Sequence, residues 1–456
     1  MKPGPITSAM AELAVSVKRE DVSDDAIDLL ARAYVDSLGC GLVGSAQPDS
    51  EIARGWVESL GGNEEAMLIG GHGTRAPAAL AALANGTTMH ALDYDDFVLR
   101  RMMHPSVVYV PLTIALAERI GASGEEAVMA FVAGLETAAR IARAIIPEHY
   151  ARGWHSTATI GGLGAAAAAS RLLGLDAEGV AQAVAIAASS AAGLRDNFGT
   201  MVKPLHAGNA AFHGIAAAEL ASRGFTASRS ILDGDRSYID VYRNSDATLS
   251  PADFALDGAL EIETSGITFK RYTCCGAIHA ALDATLQLRA ERRLTPDRVK
   301  SMRCAVHPRA PEILIHHTAS TPEQGRFCVE YSLAVAIADG DAGVPQYTEE
   351  RLEDAVVQDL ARRIDVYVDE ALAMNEGAAT AISNSVVTVE TVDGDVFERR
   401  VEPHLPMSWA EIERKFRSNA STVMNAEAAE HALELARSIS SLGDVHELAH
   451  AFSCST

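Results

Sequence analysis

The sequence of 456 residues is poor in aromatic side chains and cysteines and has no long apolar run. Aromatic residues make up 5% of the chain, although 48% of its residues are hydrophobic. The core must therefore be built largely from alanine and other small side chains, which lets helices pack closely. Six cysteines in a chain of this length do not predict a disulfide framework.

The chain also has fewer basic than acidic residues, 38 against 61, so its formal net charge is −23 at pH 7. An acidic surface repels phosphates, so we expect neither a nucleic acid nor an anionic membrane as a partner. A small anionic substrate stays compatible with this charge, because its site needs only a local group of basic residues. The apolar stretches 165–169 and 181–194 are too short to span a bilayer, and Glu12 interrupts the region where a signal peptide would be apolar. We therefore expect a cytoplasmic protein.

The signatures of several enzyme classes are absent or incomplete. Neither the G-x-S-x-G elbow of hydrolases nor the Walker loop of nucleotide-binding enzymes occurs. Residues 162–167 match G-x-G-x-x-A, but no buried strand pattern flanks them, which favours close helix packing over dinucleotide binding. Residues 446–450 match the zinc pattern H-E-x-x-H, but the six residues that follow offer no Glu or His as the third ligand. We therefore expect no metal.

What the sequence does contain is a succession of helical patterns in its first half. Ser23 precedes acidic residues and a periodic apolar run, which predicts the start of a helix. Ser123 with Glu126 three residues later forms a candidate capping box. After Pro406 the helical pattern returns.

The pattern changes near residue 260, where Leu260 and Ile262 alternate with acidic residues as in a strand. Residues 301–306 alternate in the same way, and Asp393-Gly394 predicts the turn of a hairpin. Residues 349–370 form a helical pattern that is entered through Thr348.

These patterns predict a mainly α protein of two domains. A large all-helical domain is built from both chain ends, residues 1–265 with 405–456. A smaller α+β lid domain, residues 266–404, is inserted between them.

Four clusters of polar residues interrupt otherwise apolar helical sequence, as is expected where function overrides packing. They read MHALDYDDFVLRRMMHPS, HYARGWHSTATIGG, DNFGTMVKPLHAGNAAFHG and TFKRYTCCGAIH. All four are rich in histidine, lysine or arginine. A single buried histidine is usually structural, but four such clusters favour one site with several imidazoles and ammonium groups.

The strings RGWHSTATIGGLGAAAAASRLLGLD, MVKPLHAGNAAFHGIAAAELASRGFT, FKRYTCCGAIHAALDA and GRFCVEYSLAVAIADG resemble hallmarks of the MmgE/PrpD family. This family includes 2-methylcitrate dehydratase, cis-aconitate decarboxylase and iminodisuccinate epimerase. The resemblance is collinear over nearly the whole chain. It implies the same two-domain fold, a homodimer, no cofactor and a small polycarboxylate substrate.

The resemblance also implies the residues of the site. His104 and His155 would be base and acid, and Lys203 and Lys270 would bind carboxylates and stabilise the charge of the intermediate. Removal of a proton next to a carboxylate builds a dianion, which fixed cations stabilise, and a neutral imidazole can take that proton. Asp93 would orient one of these groups, and Tyr331 would donate a proton from the lid.

The sequence departs from the citrate-type members at several positions. Phe97 stands where threonine is typical, and Arg100 and Arg101 are added before His104. The two arginines either bind a substrate with more carboxylates or with differently placed ones, or one or both of them lie on a solvated face. Cys275 stands where decarboxylase-like members have histidine. We expect Arg100, Arg101, Lys270, Cys275 and His279 to bind substrate.

These departures favour an epimerase of the iminodisuccinate type. A dehydratase of the 2-methylcitrate type is the alternative. A decarboxylase and a non-catalytic binding protein rank lower.

Overall fold

The computed structural model describes residues 3–243, 249–256, 258–373, 384–401 and 406–453. The fold is mainly α, as predicted. Its longer helices outside residues 266–404 are Pro5–Ser16, Asp24–Gly44, Pro48–Leu60, Ala78–His90, Ser106–Ile120, Gly124–Ile145, Gly161–Leu172, Ala177–Ala188, Val202–Ser222, Trp409–Ala420, Ala426–Arg437 and His446–Ser453. Shorter helices span Glu148–Ala151, Ser156–Thr159, Tyr238–Tyr242 and Glu261–Thr264.

The helix starts that were predicted from capping residues are confirmed. The Ser23 hydroxyl accepts a hydrogen bond from the Ala26 amide at the first helical turn. Ser123 and Glu126 form a reciprocal capping box at the start of Gly124–Ile145. These side chains satisfy backbone amides that the first turn leaves without a partner.

Small residues at helix crossings allow the backbones to approach each other closely. A Cβ atom on Gly164 would lie 2.4 Å from the Gly134 carbonyl oxygen, and one on Gly208 would lie 2.2 Å from the Leu83 carbonyl oxygen. The segment that resembles a dinucleotide fingerprint lies within the helix Gly161–Leu172, directly after the short helix Ser156–Thr159. Gly164 of this segment therefore serves helix packing.

A four-stranded sheet lies in the second half of the chain. Its strand order is Ile364–Val368, Val299–Val306, Ser385–Thr391 and Val396–Val401; the first pair is parallel and the other two pairs are antiparallel. Met302 pairs with Ile364 on one side and with Val389 on the other. The helices of this part span His279–Arg292, Pro322–Gly325, Val329–Asp339, Glu349–Glu353 and Ala355–Ala361. The strand over 301–306 and the hairpin turn at Asp393-Gly394 are confirmed.

Two local predictions are wrong. The pattern over 349–370 is not one helix, because Asp354 caps a new helix and residues 364–368 pair with the strand Val299–Val306. Leu260 and Ile262 belong to a helical turn instead of a strand. The Glu263 carboxylate accepts from the Leu260 amide, and Glu136 accepts from the Ile262 amide. In both places, contacts with distant residues override the local pattern.

The apolar side chains form two main cores. The larger one combines residues between Met10 and Phe269 with residues between Met407 and Phe452, so the chain ends share one interior. The second is built mainly from residues between Cys274 and Val389. The exact domain limits 1–265, 266–404 and 405–456 stay a prediction. Within the described ranges, no helix combines the length and the apolar character needed to cross a bilayer.

Candidate active site

The four polar clusters of the sequence meet around one cavity between the two cores. The loop after the helix Ala78–His90 contributes Asp93 and His104, and Lys203 lies on the first turn of Val202–Ser222. The cavity is lined by Asp93, Phe97, Leu99, Met102, Met103, His104, Tyr150, His155, Phe198, Lys203, Lys270, Cys275, Gly276, Ala277, Ile313 and Phe327. Six of the residues predicted for the site therefore face one space: Asp93, His104, His155, Lys203, Lys270 and Cys275.

Asp93 holds the two lysines of the cavity. Its Oδ1 atom lies 2.8 Å from Lys203 Nζ and 2.8 Å from Lys270 Nζ, and Lys270 Nζ also donates to the Asp93 carbonyl at 2.7 Å. Burial alone would raise the pKa of Asp93, but the two ammonium groups outweigh it and hold that pKa well below its ordinary value. Asp93 has a φ of 50°, a left-handed conformation that is uncommon outside glycine, although aspartate adopts it more readily than most residues. The surrounding contacts therefore fix this carboxylate in place.

His104 is oriented by Asp95 from the side away from the cavity. Its Nδ1 atom lies 2.8 Å from Asp95 Oδ2 and 2.9 Å from the Asp96 carbonyl oxygen. Both partners accept hydrogen bonds, so Nδ1 carries the proton and Nε2 carries the lone pair. The Nε2 atom lies 3.9 Å from Asp93 Oδ1. Burial lowers the pKa of His104; Asp95 opposes this shift, whereas Lys203 and Lys270 reinforce it. The imidazole is therefore a neutral base near pH 7.

His90 connects the other side of Asp95 to the lysines. Its Nδ1 atom lies 2.7 Å from Asp95 Oδ1, and its Nε2 accepts from Lys203 Nζ at 2.9 Å. Burial lowers the pKa of His90 to about 3 despite Asp95 beside it. The arrangement gives Lys203 two acceptors and holds it against Asp93. The prediction of site residues did not include His90 or Asp95, although both lie in the string HALDYDD that marked the first cluster.

His155 is the second imidazole that lines the cavity. Its Nδ1 atom lies 3.0 Å from His206 Nδ1, so one of these nitrogens donates and the other accepts. Burial lowers the pKa of His155. It also lowers the pKa of His206, to about 4. The centroids of the His155 and His104 rings are 6.4 Å apart. The cavity therefore offers two neutral imidazoles within reach of one small ligand.

Apolar side chains surround these groups and keep water away from them. Lys203 Nζ lies 5.5 Å from the ring centroids of Phe198 and Phe327, and Lys270 Nζ lies 5.9 Å from that of Phe97. In such surroundings an ammonium interacts more strongly with an anion than it does in water. Sequence reasoning assigned Phe97 to substrate choice but missed Phe198 and Phe327, because nothing in their local patterns separates them from core residues.

Four residues that were predicted for the site do not line this cavity. The Arg101 guanidinium forms a bidentate ion pair with Glu261 at 2.8 to 3.2 Å, so it already has a carboxylate partner, and Arg100 is exposed. The Tyr331 hydroxyl donates to the Gln346 carbonyl at 2.5 Å, inside the second core. His279 is buried against the Tyr272 ring. This placement corrects the expectation that Arg101 and Tyr331 face the ligand.

The site does not match a metal centre. Donor atoms of His90, Asp93, Asp95 and His104 lie within 4.8 Å of one another. However, Asp93 Oδ1 is already shared by two ammonium groups, and both Asp95 oxygens receive imidazole nitrogens. A divalent cation here would have to lie beside two positive charges. The donor set therefore does not suit one, and the expected absence of a metal stays a prediction.

Two family models match consecutive parts of the chain. The model of the MmgE/PrpD N-terminal domain matches residues 8–249, and that of the MmgE/PrpD C-terminal domain matches residues 272–441. The chain belongs to the MmgE/PrpD family. The resemblance seen in the sequence is thereby confirmed.

Several characterised proteins are similar to this MmgE/PrpD chain over almost its whole length. Cis-aconitate decarboxylase from Homo sapiens is 28% identical, and the alignment covers 96% of this chain and 92% of the relative. The enzyme of the same name from Mus musculus is 26% identical over 96% and 91% of the two chains. That from Aspergillus terreus is 26% identical over 98% and 96%.

Proposed function

We propose that this MmgE/PrpD enzyme is a cofactor-independent lyase that moves a proton at a carbon next to a carboxylate of a small polycarboxylate. The observation that carries the proposal is the orientation of His104. Asp95 fixes the proton on Nδ1, so the basic Nε2 lone pair lies on the side of the ring where Lys203 and Lys270 meet on Asp93. The reaction needs a base that takes the proton and, beside it, cations that stabilise the negative charge that develops.

The charges of the site match the charge that the reaction develops. Removing a proton or a carboxyl group beside a carboxylate leaves an electron pair that delocalises onto the carboxylate oxygens. Lys203 and Lys270 together carry two positive charges, and Asp93 and Asp95 balance them. Asp95 does not line the cavity and lies behind His90 and His104, so we expect a bound anion to lie nearer the two ammonium groups, whose attraction the apolar surroundings strengthen. A substrate carboxylate would bind there and hold its neighbouring carbon close to an imidazole.

A lyase is preferred to the epimerase that the sequence favoured. The epimerase prediction depended on Phe97 and on Arg100 and Arg101 as carboxylate ligands, and Arg101 is engaged by Glu261. The relatives named above are decarboxylases of cis-aconitate, and the similarity extends over nearly their whole length. An unsaturated or hydroxylated tricarboxylate is therefore the first substrate to test.

Epimerisation remains the second candidate because of the two imidazoles. His104 and His155 both line the cavity with ring centroids 6.4 Å apart, and both are neutral. A carbon held between them could lose a proton to one ring and regain a proton from the other. Such a pair serves inversion at a stereocentre as readily as it serves elimination.

The decisive experiment follows candidate acids by proton NMR in D2O with the purified enzyme. Loss of a carboxyl group as carbon dioxide with deuterium incorporation indicates a decarboxylase, and a new vinylic proton from a hydroxy acid indicates a dehydratase. Exchange at a stereocentre with no new alkene indicates an epimerase and would overturn the lyase proposal. No change in any polycarboxylate would contradict the proton-transfer function itself.

A further inference from the structure

Lys415 is a buried cation on the helix Trp409–Ala420, which returns to the site from the far end of the chain. Its Nζ atom donates to the Tyr94 carbonyl at 2.6 Å and to the Lys270 carbonyl at 3.0 Å. It forms an ion pair with Asp36 at 2.7 Å, on the helix Asp24–Gly44. Burial alone would lower the pKa of Lys415, but Asp36 and its neighbours raise it above the ordinary value, so the ammonium stays charged.

Both backbone acceptors of Lys415 belong to segments that form the cavity. Tyr94 lies directly between Asp93 and Asp95, the carboxylates that hold the two lysines and His104. The other acceptor is the carbonyl of Lys270 itself, whose side chain reaches Asp93. The Tyr94 ring lies 3.8 Å from the ammonium, and its hydroxyl donates to the Arg271 carbonyl at 3.2 Å. One ammonium therefore connects the Asp93 loop to the backbone that carries Lys270.

The conformation of Asp93 is one reason why such a connection matters. A φ of 50° is uncommon outside glycine, although aspartate adopts it more readily than most residues, so contacts with neighbours help to hold it here. Lys415 fixes the peptide carbonyl of the next residue, so it acts on the backbone that sets the direction of the Asp93 side chain. Lys415 is not one of the described residues that line the cavity.

We propose that Lys415 is a positioning residue. It holds the Asp93 loop and the Lys270 backbone in the relative position that lets Lys203 and Lys270 both bind Asp93. The inference builds on the proposed function, because it concerns how the cationic part of the same site is assembled. It gives the helix Trp409–Ala420 a role in catalysis, although this helix contributes no residue to the cavity lining.

The competing explanation is that Lys415 only neutralises Asp36 in the interior. A buried ion pair can often be replaced by neutral residues without loss of stability, whereas removal of one partner is strongly destabilising. Two variants separate the explanations. Lys415→Met removes the cation and leaves Asp36 buried alone. Asp36→Asn with Lys415→Met removes both charges but does not restore the contacts with the two carbonyls.

Positioning predicts that the double variant regains most of the stability lost in Lys415→Met while its turnover stays low. We expect kcat to fall by about 10²-fold, the typical effect of a small misplacement of catalytic groups, with a smaller change in KM. Arg140→Met is the matched control, since Arg140 is buried in an ion pair with Glu136 and lies outside the cavity. It should lose stability and keep its turnover.

A second readout does not depend on any substrate. Lys270 lowers the pKa of His104 in the intact site, so displacing Lys270 should raise that pKa. Histidine signals from labelled protein, assigned with His104→Gln, should show a higher pKa for His104 in the double variant and no change in Arg140→Met. The inference would be overturned if the double variant had the turnover of the wild type and the same His104 pKa. Absence of turnover in the wild type would count against the proposed function alone, because the titration still tests Lys415.

Discussion

At the scale of single residues, the site is organised around one carboxylate that serves two cations. Asp93 Oδ1 accepts from both Lys203 and Lys270, while Asp95 accepts from both His90 and His104. Two acids separated by one residue thus have different tasks: Asp93 binds ammonium groups and Asp95 orients imidazoles. The division explains why the basic nitrogen of His104 faces the cavity.

Replacing Asp93 should weaken both the fold and the reaction. In Asp93→Asn, two buried ammonium groups lose their counter-charge, so we expect a loss of about 3–5 kcal/mol in the free energy of unfolding near pH 7. The pKa of Asp93 is depressed in the folded state, so its contribution is present above the unfolded value of about 4 and is lost below it. Urea unfolding should show the gap between the wild type and the variant narrowing as pH falls below about 4.

An exposed carboxylate gives the control for this measurement. Asp365 lies on the sheet with a side chain that is 68% exposed, and it pairs with Arg303. Asp365→Asn should change the free energy of unfolding by no more than about 0.5 kcal/mol. A pH-independent gap for Asp93→Asn would contradict the charged state assigned to Asp93.

His104→Gln should reduce turnover by about 10²–10⁴-fold, because the base is removed while the ring contacts are partly kept. Since burial lowers the pKa of His104, the deprotonated base persists to lower pH than in an ordinary histidine. The acidic limb of the wild-type pH–rate profile should therefore lie below about 6.5. His213→Gln, on the same helix as Lys203 but outside the cavity lining, should retain wild-type turnover. An acidic limb above 6.5 would argue against His104 as the base.

At the scale of helices and strands, the close crossing of Ala78–His90 and Val202–Ser222 sets the distance between His90 and Lys203. A Cβ on Gly208 would lie 2.2 Å from the Leu83 carbonyl oxygen and 2.5 Å from Thr87 Oγ1, so only glycine fits at this point of contact. Each helix carries one member of the His90–Lys203 hydrogen bond. The packing of two helices therefore determines a contact inside the site.

Gly208→Ala should move these helices apart. We expect a loss of about 1–3 kcal/mol in stability from the overpacked contact, together with reduced turnover, measured by urea unfolding and steady-state kinetics. Gly55 in the helix Pro48–Leu60 is the matched control, since a Cβ there meets no atom within 4 Å. Gly55→Ala should be more stable by about 0.5–1 kcal/mol and equally active. If Gly208→Ala behaved like Gly55→Ala, the crossing would not be as tight as described.

The helices and strands differ in how well the sequence predicted them. The helix starts at Ser23 and Ser123 depend on contacts within one turn, so their patterns were sufficient. The strand Ile364–Val368 depends on pairing with residues some sixty positions earlier, and a helical pattern concealed it. The partner of Arg101, Glu261, is likewise 160 positions away. The local sequence therefore could not show that Arg101 forms an ion pair within the protein, and Arg101 was predicted to bind substrate. The four polar clusters alone predicted one shared site, whereas the choice of Asp93, His104, His155, Lys203 and Lys270 within them depended on the family resemblance.

At the scale of the whole molecule, the cavity lies where the two cores meet, so a ligand that binds there should stabilise the folded chain. Ligand at 100 times its Kd adds about 2.7 kcal/mol to the free energy of unfolding. A tricarboxylate should therefore raise the Tm of the wild type but not that of Lys203→Met, as measured by calorimetry. Lys300→Met, which removes an exposed lysine on the sheet, should respond like the wild type. An equal response of all three proteins would indicate a general salt effect. The homodimer implied by the resemblance stays a prediction that sedimentation can check.

The contact between Lys415 and the Tyr94 carbonyl joins positions 321 residues apart. Ribosomes make the chain from its N-terminus, so His104, Lys203 and Lys270 all emerge long before the helix that carries Lys415. A nascent chain would contain every side chain of the cavity lining and still lack Lys415, whose contacts hold these side chains in their relative positions. Catalytic competence would then be acquired only after the helix Trp409–Ala420 has been made.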